Sequence, residues 1–333
     1  MTSLLESELY AQPRALRSFL TTGDAVAGAV RDLADGTTGV VIAARGSSDN
    51  AARYAQYLVP LVGEREVTLA TPSLVTTYGA SPDVWRRLVV GVSQSGSSPD
   101  IVAVLRDARE RGAPTLAVTN DPCSDLAGQA DLVVPLRVGE ERSVAATGTY
   151  TTSLAALAVV AAGLAPEPTA AALLRDLDRT PDLVAEALEA DVDEAVETFA
   201  ASWRGIAVGR GVNLATAHEA ALKLTELTGS LVTPFSPADL RHGPIGAVGP
   251  ATPVLLVAPD EAASASVLDL RDELAQRGAP VVVIGPDLPA QTPGLVSPIV
   301  AVVPAQKLAW RLALRRGVEV DAPGGLHKIT RTE

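Results

Sequence analysis

Short, nearly all-apolar runs recur along this chain and limit its fold more than any other feature. Val40–Ala43, Leu88–Val92, Thr115–Val118 and Leu132–Pro135 form one set. Ile206–Val208, Val254–Val257, Val281–Ile284 and Ile299–Val303 form a second. A strand with one wet face alternates apolar and polar residues, whereas a strand covered on both faces reads as an unbroken apolar run. Segments between them, such as Ile101–Arg111 and Ser266–Arg277, carry helical spacing and polar faces. The pattern predicts an α/β chain of parallel sheets flanked by helices, with ligands at the C-terminal ends of strands.

The chain also repeats itself. Arg45-Gly46 follows the first apolar run and Arg210-Gly211 follows the fifth. LRDARERGAP (Leu105–Pro114) recurs as LRDELAQRGAP (Leu270–Pro280) at nearly the same offset, with one inserted residue. Two matches in register predict a duplicated α/β unit. The expected division is 1–190, 191–320 and a tail, 321–333. The connecting stretch Ala165–Asp193 opens on Pro166 and Pro168, but Leu173, Leu174, Leu177, Leu183, Val184 and Leu188 form an apolar stripe. Packed helices are expected there rather than a loose tether.

Composition removes several function classes. Of 333 residues 47% are apolar, enough for a large core, and the net charge of −12 disfavours nucleic acid or an anionic membrane. A single cysteine, Cys123, allows no internal disulfide. The longest apolar stretch, Leu154–Ala165, is too short to span a bilayer, and MTSLLESELYAQPRAL lacks the apolar core of a signal peptide. A soluble cytoplasmic protein acting on a small molecule is expected.

Two segments carry the chemistry. GVSQSGSSPD (Gly91–Asp100) joins an apolar strand to a helix. Backbone N–H groups at such a turn, with the helix dipole behind them, suit an anion, and the hydroxyls of Ser93, Ser95, Ser97 and Ser98 and the Gln94 amide add neutral donors. One serine would satisfy a helix cap; four serines and a glutamine exceed that need. Ser47 and Ser48, after Arg45-Gly46, can meet the same ligand or simply cap a helix. The matching turn of the second half carries Asp260 and Glu261, which would repel phosphate, so one phosphate site per chain is expected.

AHEAALKLTELTG (Ala217–Gly229) reads as a glycine-terminated helix with Glu219, Lys223 and Glu226 on one face. Spacing alone reads more readily as a solvated ion-pair stripe; the functional alternative is a lysine set between two carboxylates. His242 lies in a turn before Gly243-Pro244, where it can pass protons either way. His218 is expected just before the helix, and His327 and Lys328 fall in the tail, with Gly324-Gly325 as a hinge for a lid. No residues show zinc spacing or a complete dinucleotide fingerprint, so no metal or cofactor is expected.

These ordered motifs resemble the tandem sugar-isomerase (SIS) domains of the glucosamine-6-phosphate synthase family and its relatives without a glutaminase domain. SQSGSSPD is similar to that family's Ser-Gln-Ser-Gly-Glu-Thr loop, and EERSVAATGTYTTSL (Glu140–Leu154) to its Glu-x-x-Val-Ala-Ser-Thr-Lys segment. HEAALKLTEL, DLRHGP, the opening ESELYAQPRAL and the tail also match in order. The resemblance implies two flavodoxin-like three-layer domains. It implies that Ser93, Gln94, Ser95 and Ser98, helped by Ser47 and Ser48, hold a sugar phosphate. Glu226 would shuttle a proton between C1 and C2, with Lys223 and Glu219 on the sugar oxygens. His242 would open the ring from the neighbouring subunit of a homodimer. Lys328 would contact the sugar, and the backbone of Val144 would face it.

Three departures stand out. There is no glutaminase segment or cysteine near Met1, so glutamine is not expected to donate nitrogen in this chain. Ala146-Thr147-Gly148 replaces Ser-Thr-Lys, and Gly324-Gly325 replaces Arg-Asn. The implied reaction is glucosamine 6-phosphate to fructose 6-phosphate and ammonia. A fructosamine-6-phosphate deglycase, a plain aldose–ketose isomerase and a non-catalytic phosphosugar sensor are the alternatives.

Overall fold

Among the described residues every strand pairing is parallel. The structure is a computed structural model and describes residues 2–325 and Lys328. Two units result. The first gathers the described residues of Arg14–Glu141 and Gly148–Arg179; the second gathers those of Met1–Pro13, Arg142–Thr147 and Thr180–Lys328.

The first unit holds β1 (Gly39–Ala43), β2 (Glu66–Leu69), β3 (Arg87–Val92), β4 (Thr115–Thr119) and β5 (Leu132–Pro135), in the order β2-β1-β3-β4-β5. The second holds β6 (Arg204–Val208), β7 (Leu231–Phe235), β8 (Val254–Val257) and β9 (Val281–Ile284), in the order β7-β6-β8-β9. The same winding appears in both: the chain steps outward once, then returns past its starting strand. That reversal leaves a crevice at the C-terminal ends of β1 and β3, and of β6 and β8, where open α/β sheets take ligands. The glycines of the repeated Arg-Gly pair adopt matching left-handed φ, 55° at Gly46 and 59° at Gly211.

Apolar burial holds each sheet to its helices. Val89, Ile101, Leu105, Ala117 and Leu126 share a core in the first unit. Val208, Leu240, Val254, Leu256, Leu270 and Leu274 do so in the second. Each large aliphatic buried this way contributes about 1.5–3 kcal/mol. The apolar segment at Leu154 lies in the helix Gly148–Leu164, all of whose residues are buried. It packs on the helices Gly23–Leu33, Ser47–Gly63 and Glu167–Asp178. None of the described helices is long and apolar enough to cross a membrane.

Where sequence and structure differ, the reasons are physical. Ile299–Val303 belongs to the helix Ser297–Arg315, not to a strand. A five-residue apolar run has no period of its own, and this one is buried as the first turns of a core helix. β2 and β7 escaped the apolar-run criterion because exposed Glu66 and Thr68 in β2, and exposed Thr233 followed by Pro234 in β7, break the run, whereas the other two edge strands, β5 and β9, keep it. His218 sits inside the helix Leu214–Thr228, not before it. The connecting stretch does hold helices, Glu167–Asp178 and Thr180–Ala187, which bury Leu173, Leu177, Leu183 and Val184. Leu326, His327 and residues 329–333 of the expected lid lie outside the described residues.

Candidate active site

In the first unit the crevice between β1 and β3 is lined by two strand-to-helix turns. Gly46 starts the helix Ser47–Gly63 and Ser98 starts the helix Pro99–Glu110. Two helix N-termini therefore end at one reversal point, each with a partial positive charge. The turn after β3 is shaped from behind. Gln94 O accepts from Asn120 N at 3.0 Å and from Thr119 Oγ1 at 3.3 Å, and Gly96 O accepts from Leu126 N at 3.0 Å. Among the described residues none accepts from the N–H groups of Ser47, Ser48, Ser95 or Ser98, as an anion cradle requires.

Gly96 is fixed by two constraints. Its φ is +62°, and a Cβ there would lie 2.0 Å from Ser124 Oγ. The turn can close only on glycine.

The serine hydroxyls do not act as caps. Ser98 is the N-cap of its helix, yet its side chain makes no capping bond; its Oγ lies 3.4 Å from Ser93 Oγ. Ser47 and Ser48 lie in the first turn of their helix, which likewise has no side-chain cap. Ser95 Oγ accepts from Ser97 Oγ at 2.9 Å and from Ser97 N at 3.3 Å. Ser93 is buried, whereas Gln94, Ser95 and Ser98 are half-buried. Ser93 Oγ accepts from Gly96 N at 3.2 Å, so Ser93 and Ser95 also brace the turn, while the turns together present a row of hydroxyls and amides at the crevice.

The matching crevice of the second unit is filled from within. Glu261 Oε2 accepts from Ala263 N at 3.0 Å, and its carboxylate lies over Gly211, where a Cβ would sit 3.5 Å from Oε1. Burial pushes the Glu261 carboxyl up, partly opposed by the Ala263 N–H.

The helix Leu214–Thr228 of the second unit carries Glu219, Lys223 and Glu226. Glu219 and Lys223 have side-chain exposures of 0% and 2%, and Glu226 has 26%. Lys223 Nζ donates to Glu226 Oε2 and lies 3.6 Å from Glu219 Oε1. This is not the solvated stripe that spacing alone suggests. Desolvating an ion costs several kcal/mol unless partners replace the water, so the lysine is held between its two carboxylates. Only Glu226, at the end of the row, keeps a wet face. Arg316 secures the end of this helix. Its guanidinium donates to Thr228 O at 3.3 Å and Phe199 O at 3.0 Å and lies 4.2 Å from the Trp203 ring centroid. Burial holds that guanidinium below its ordinary range.

His242 follows the helix Pro237–Arg241 and is exposed. Its Nδ1 lies 2.8 Å from Ala238 O. A carbonyl only accepts, so Nδ1 donates in this contact, and in the neutral imidazole Nε2 is then the acceptor. Val144 is half-buried, and its N–H donates to Asp321 O at 3.2 Å. Lys328 is half-buried.

Of the expected residues, the structure gathers Ser93, Gln94, Ser95, Ser98, Ser47 and Ser48 at one crevice. It gathers Glu219, Lys223 and Glu226 on one helix, and Val144, His242 and Lys328 belong to the same unit as that helix. Sequence reasoning missed Arg45–Asp100, a 2.7 Å ion pair across the first crevice, and the Arg316 anchor. The recurrence of Arg-Gly after both first strands was the available signal for Arg45. Nothing local marks Arg316, whose partners lie far away in sequence.

The SIS domain family model matches residues 35–163 and 199–286. The glutamine–fructose-6-phosphate aminotransferase (isomerizing) of Methanothermobacter thermautotrophicus is 30% identical over 346 residues, covering 98% of this chain and 57% of its own length. The chain thus spans little more than half of that relative. A solved candidate phosphosugar isomerase from Silicibacter pomeroyi is 32% identical, with a TM-score of 0.88, and covers 96% of this chain and 99% of its own. The C-terminal domain of glucosamine-fructose-6-phosphate aminotransferase from Francisella tularensis is 25% identical with a TM-score of 0.87, covering 97% of this chain and 99% of its own.

Proposed function

Because this chain belongs to the SIS domain family, we propose that it is a phosphosugar enzyme, an amino-sugar phosphate deaminase/isomerase that converts glucosamine 6-phosphate to fructose 6-phosphate and ammonia. One observation carries the reading beyond sugar binding. Glu226 is the single part-exposed carboxylate of a row otherwise buried, and Lys223 orients it. A sensor has no use for so costly an arrangement, whereas a proton shuttle needs a fixed carboxylate with one open face.

The phosphate is held by Ser93, Gln94, Ser95 and Ser98, with Ser47 and Ser48 from the adjoining turn. His242, with Nδ1 tied to Ala238 O, has Nε2 available to move a proton during ring opening. In the proposed homodimer this is done by His242 of the partner subunit. The open-chain aldehyde places an acidic C–H at C2 beside the amine. Glu226 takes that proton, the C–H electron pair forms the C1–C2 double bond, and the carbonyl pair moves to O1, which takes a proton from water to give an enaminol; the nitrogen returns a proton to water as the imine forms. The Lys223 ammonium stabilises charge on the sugar oxygen, with Glu219 holding the lysine. Glu226 returns the proton to C1, leaving a C2 imine and a C1 hydroxymethyl group. Water adds at C2 and ammonia leaves. Lys328 and the Val144 backbone contact the sugar. General acid–base catalysis supplies about 10²–10⁴-fold, so phosphate-anchored positioning supplies much of the remainder.

A second reading, aldose–ketose isomerisation without nitrogen release, is favoured by the phosphosugar isomerase likeness from Silicibacter pomeroyi. It uses the same proton transfer. One assay separates the two: ammonia and fructose 6-phosphate are measured from glucosamine 6-phosphate, and ketose formation is measured from amine-free aldose 6-phosphates. Ammonia in equal amount to fructose 6-phosphate is expected. Turnover of amine-free sugars alone selects the second reading, and turnover of neither, with phosphosugar still binding, selects a sensor.

A further inference from the structure

Glu8 makes contacts that helix surface chemistry does not require. It is half-buried on the helix Leu4–Leu20. Its Oε1 accepts from Arg142 N at 2.5 Å and from Ser143 N at 3.2 Å, and its Oε2 accepts from Ser143 Oγ. One carboxylate thus binds two consecutive main-chain amides and a hydroxyl lying more than a hundred residues away. Ser143 is fully buried. Val144 N, the next amide, donates to Asp321 O at 3.2 Å. The Asp321 carboxylate accepts in turn from Leu4 N and Leu5 N, at 3.0 and 2.9 Å, in the first turn of the helix that carries Glu8. The ring closes: helix to Glu8, Glu8 to 142–143, 144 to Asp321, Asp321 to the helix. All of its members belong to the second unit.

We infer that Glu8 is a positioning residue that sets the pose of the Arg142–Thr147 segment, and with it the backbone at Val144, for a hexose phosphate. The inference rests on the preceding reading in that Val144 is taken to face the sugar. The segment contains no helix or strand, so its peptide planes are oriented by tethers such as these rather than by a regular backbone ladder. A trans peptide is rigid and its C=O points opposite to the following N–H. Turning the amides of 143 and 144 towards Glu8 and Asp321 therefore turns the carbonyls of Arg142 and Ser143 to the other side. Carbonyl oxygens accept hydrogen bonds, and sugar hydroxyls donate them. Inorganic phosphate has no such hydroxyl array and is indifferent to this segment.

The test compares two ligands on Glu8→Ala, Glu8→Gln and the wild-type chain. Sorbitol 6-phosphate, which has no carbonyl and does not react, reports sugar recognition; inorganic phosphate reports the serine turn. Amide exchange is read at 142 and 143. Glu8→Ala is expected to weaken sorbitol 6-phosphate at least tenfold, leave inorganic phosphate within twofold and speed exchange at both amides at least tenfold. Glu8→Gln, which keeps an acceptor oxygen, falls between. If Glu8→Ala does not fold, Glu8→Gln decides, with at least a threefold loss expected for sorbitol 6-phosphate alone. Unchanged sugar affinity, or equal weakening of both ligands, overturns the inference while leaving the proposed function standing. A wild-type chain that binds sorbitol 6-phosphate no better than inorganic phosphate overturns both.

Discussion

Arg45 Nε donates to Asp100 Oδ2 at 2.7 Å, joining the turn after β1 to the first turn of the helix after β3. Asp100 is nearly buried and Arg45 is half exposed, with side-chain exposures of 6% and 50%. The pair ties together the two turns that line the first crevice. Removing either partner should weaken hexose-phosphate affinity several-fold and cost about 1–2 kcal/mol, since exposure of the arginine limits the pair's strength. A double-mutant cycle checks this: Arg45→Ala with Asp100→Ala should be little worse than Asp100→Ala alone, and strict additivity would show that the pair does not couple the turns.

The serines separate ligand binding from capping. A helix N-cap serine that works as a cap loses about 1 kcal/mol on truncation. Ser98 makes no such bond. Ser98→Ala should therefore leave the melting temperature nearly unchanged while weakening phosphosugar affinity, read by calorimetry, whereas Ser93→Ala also removes an acceptor for Gly96 N and should cost some stability as well. A clear drop in stability at unchanged affinity would return Ser98 to a capping role.

Two glycines of similar φ should respond differently. Gly46→Ala meets nothing within 4 Å, but its φ of 55° with ψ of −133° is a backbone that disfavours a Cβ, so it bears that conformational cost alone, about 1–3 kcal/mol. Gly96→Ala adds a collision with Ser124 Oγ and Cβ, at 2.0 and 2.4 Å. It should cost at least about 2 kcal/mol and abolish protection by phosphosugar in a thermal melt.

The carboxylate–lysine row divides structure from chemistry. Lys223→Met takes a counter-charge away from the buried Glu219 and should destabilise by about 3–5 kcal/mol. Glu226→Gln keeps an acceptor for Lys223 but removes one of its counter-charges, so it should cost less than Lys223→Met, about 1–2 kcal/mol, while cutting turnover by about 10²-fold or more. Melting curves and initial rates on the same preparations decide this. Equal stability losses would make Glu226 another structural member of the row.

Glu261 predicts a pH signature. Burial raises its folded-state pKa above the unfolded value, so its charged form weakens the fold. That cost is fully present above the raised value and is relieved as pH falls towards about 4, the usual carboxylate range. Glu261→Gln keeps an acceptor for Ala263 N. It should stabilise the chain slightly at neutral pH, with the gain vanishing on acidification. Because Glu261 is only half-buried, the gain should be small. A gain that persists at low pH would point to packing instead.

Much of the fold was legible because covered parallel strands have a simple signature. The interior strands β1, β3, β4, β6 and β8 stood out as unbroken apolar runs, and β5 and β9 did too. The edge strands β2 and β7 did not, since exposure breaks the run. Ile299–Val303 carries the composition of a strand but lies in a helix, because a short apolar run has no period to decide between them. The serine turn was readable as an excess of donors over what capping needs. The burial of Glu219 and Lys223 was not, because i,i+4 spacing places charges on one face without saying whether that face is wet. Arg45–Asp100, Glu8–Ser143 and Arg316–Thr228 are contacts between residues distant in sequence, and no local pattern announces them.

The proton path from C2 to C1 is the centre of the account. The direct measurement uses glucosamine 6-phosphate deuterated at C2, in ordinary water, with fructose 6-phosphate read by mass and by NMR at C1. The account predicts a primary isotope effect on turnover, deuterium partly retained at C1, and loss of both product and label transfer in Glu226→Gln. Fructose 6-phosphate formed at an undiminished rate by Glu226→Gln, or by wild type with no isotope effect and no label reaching C1, would contradict it.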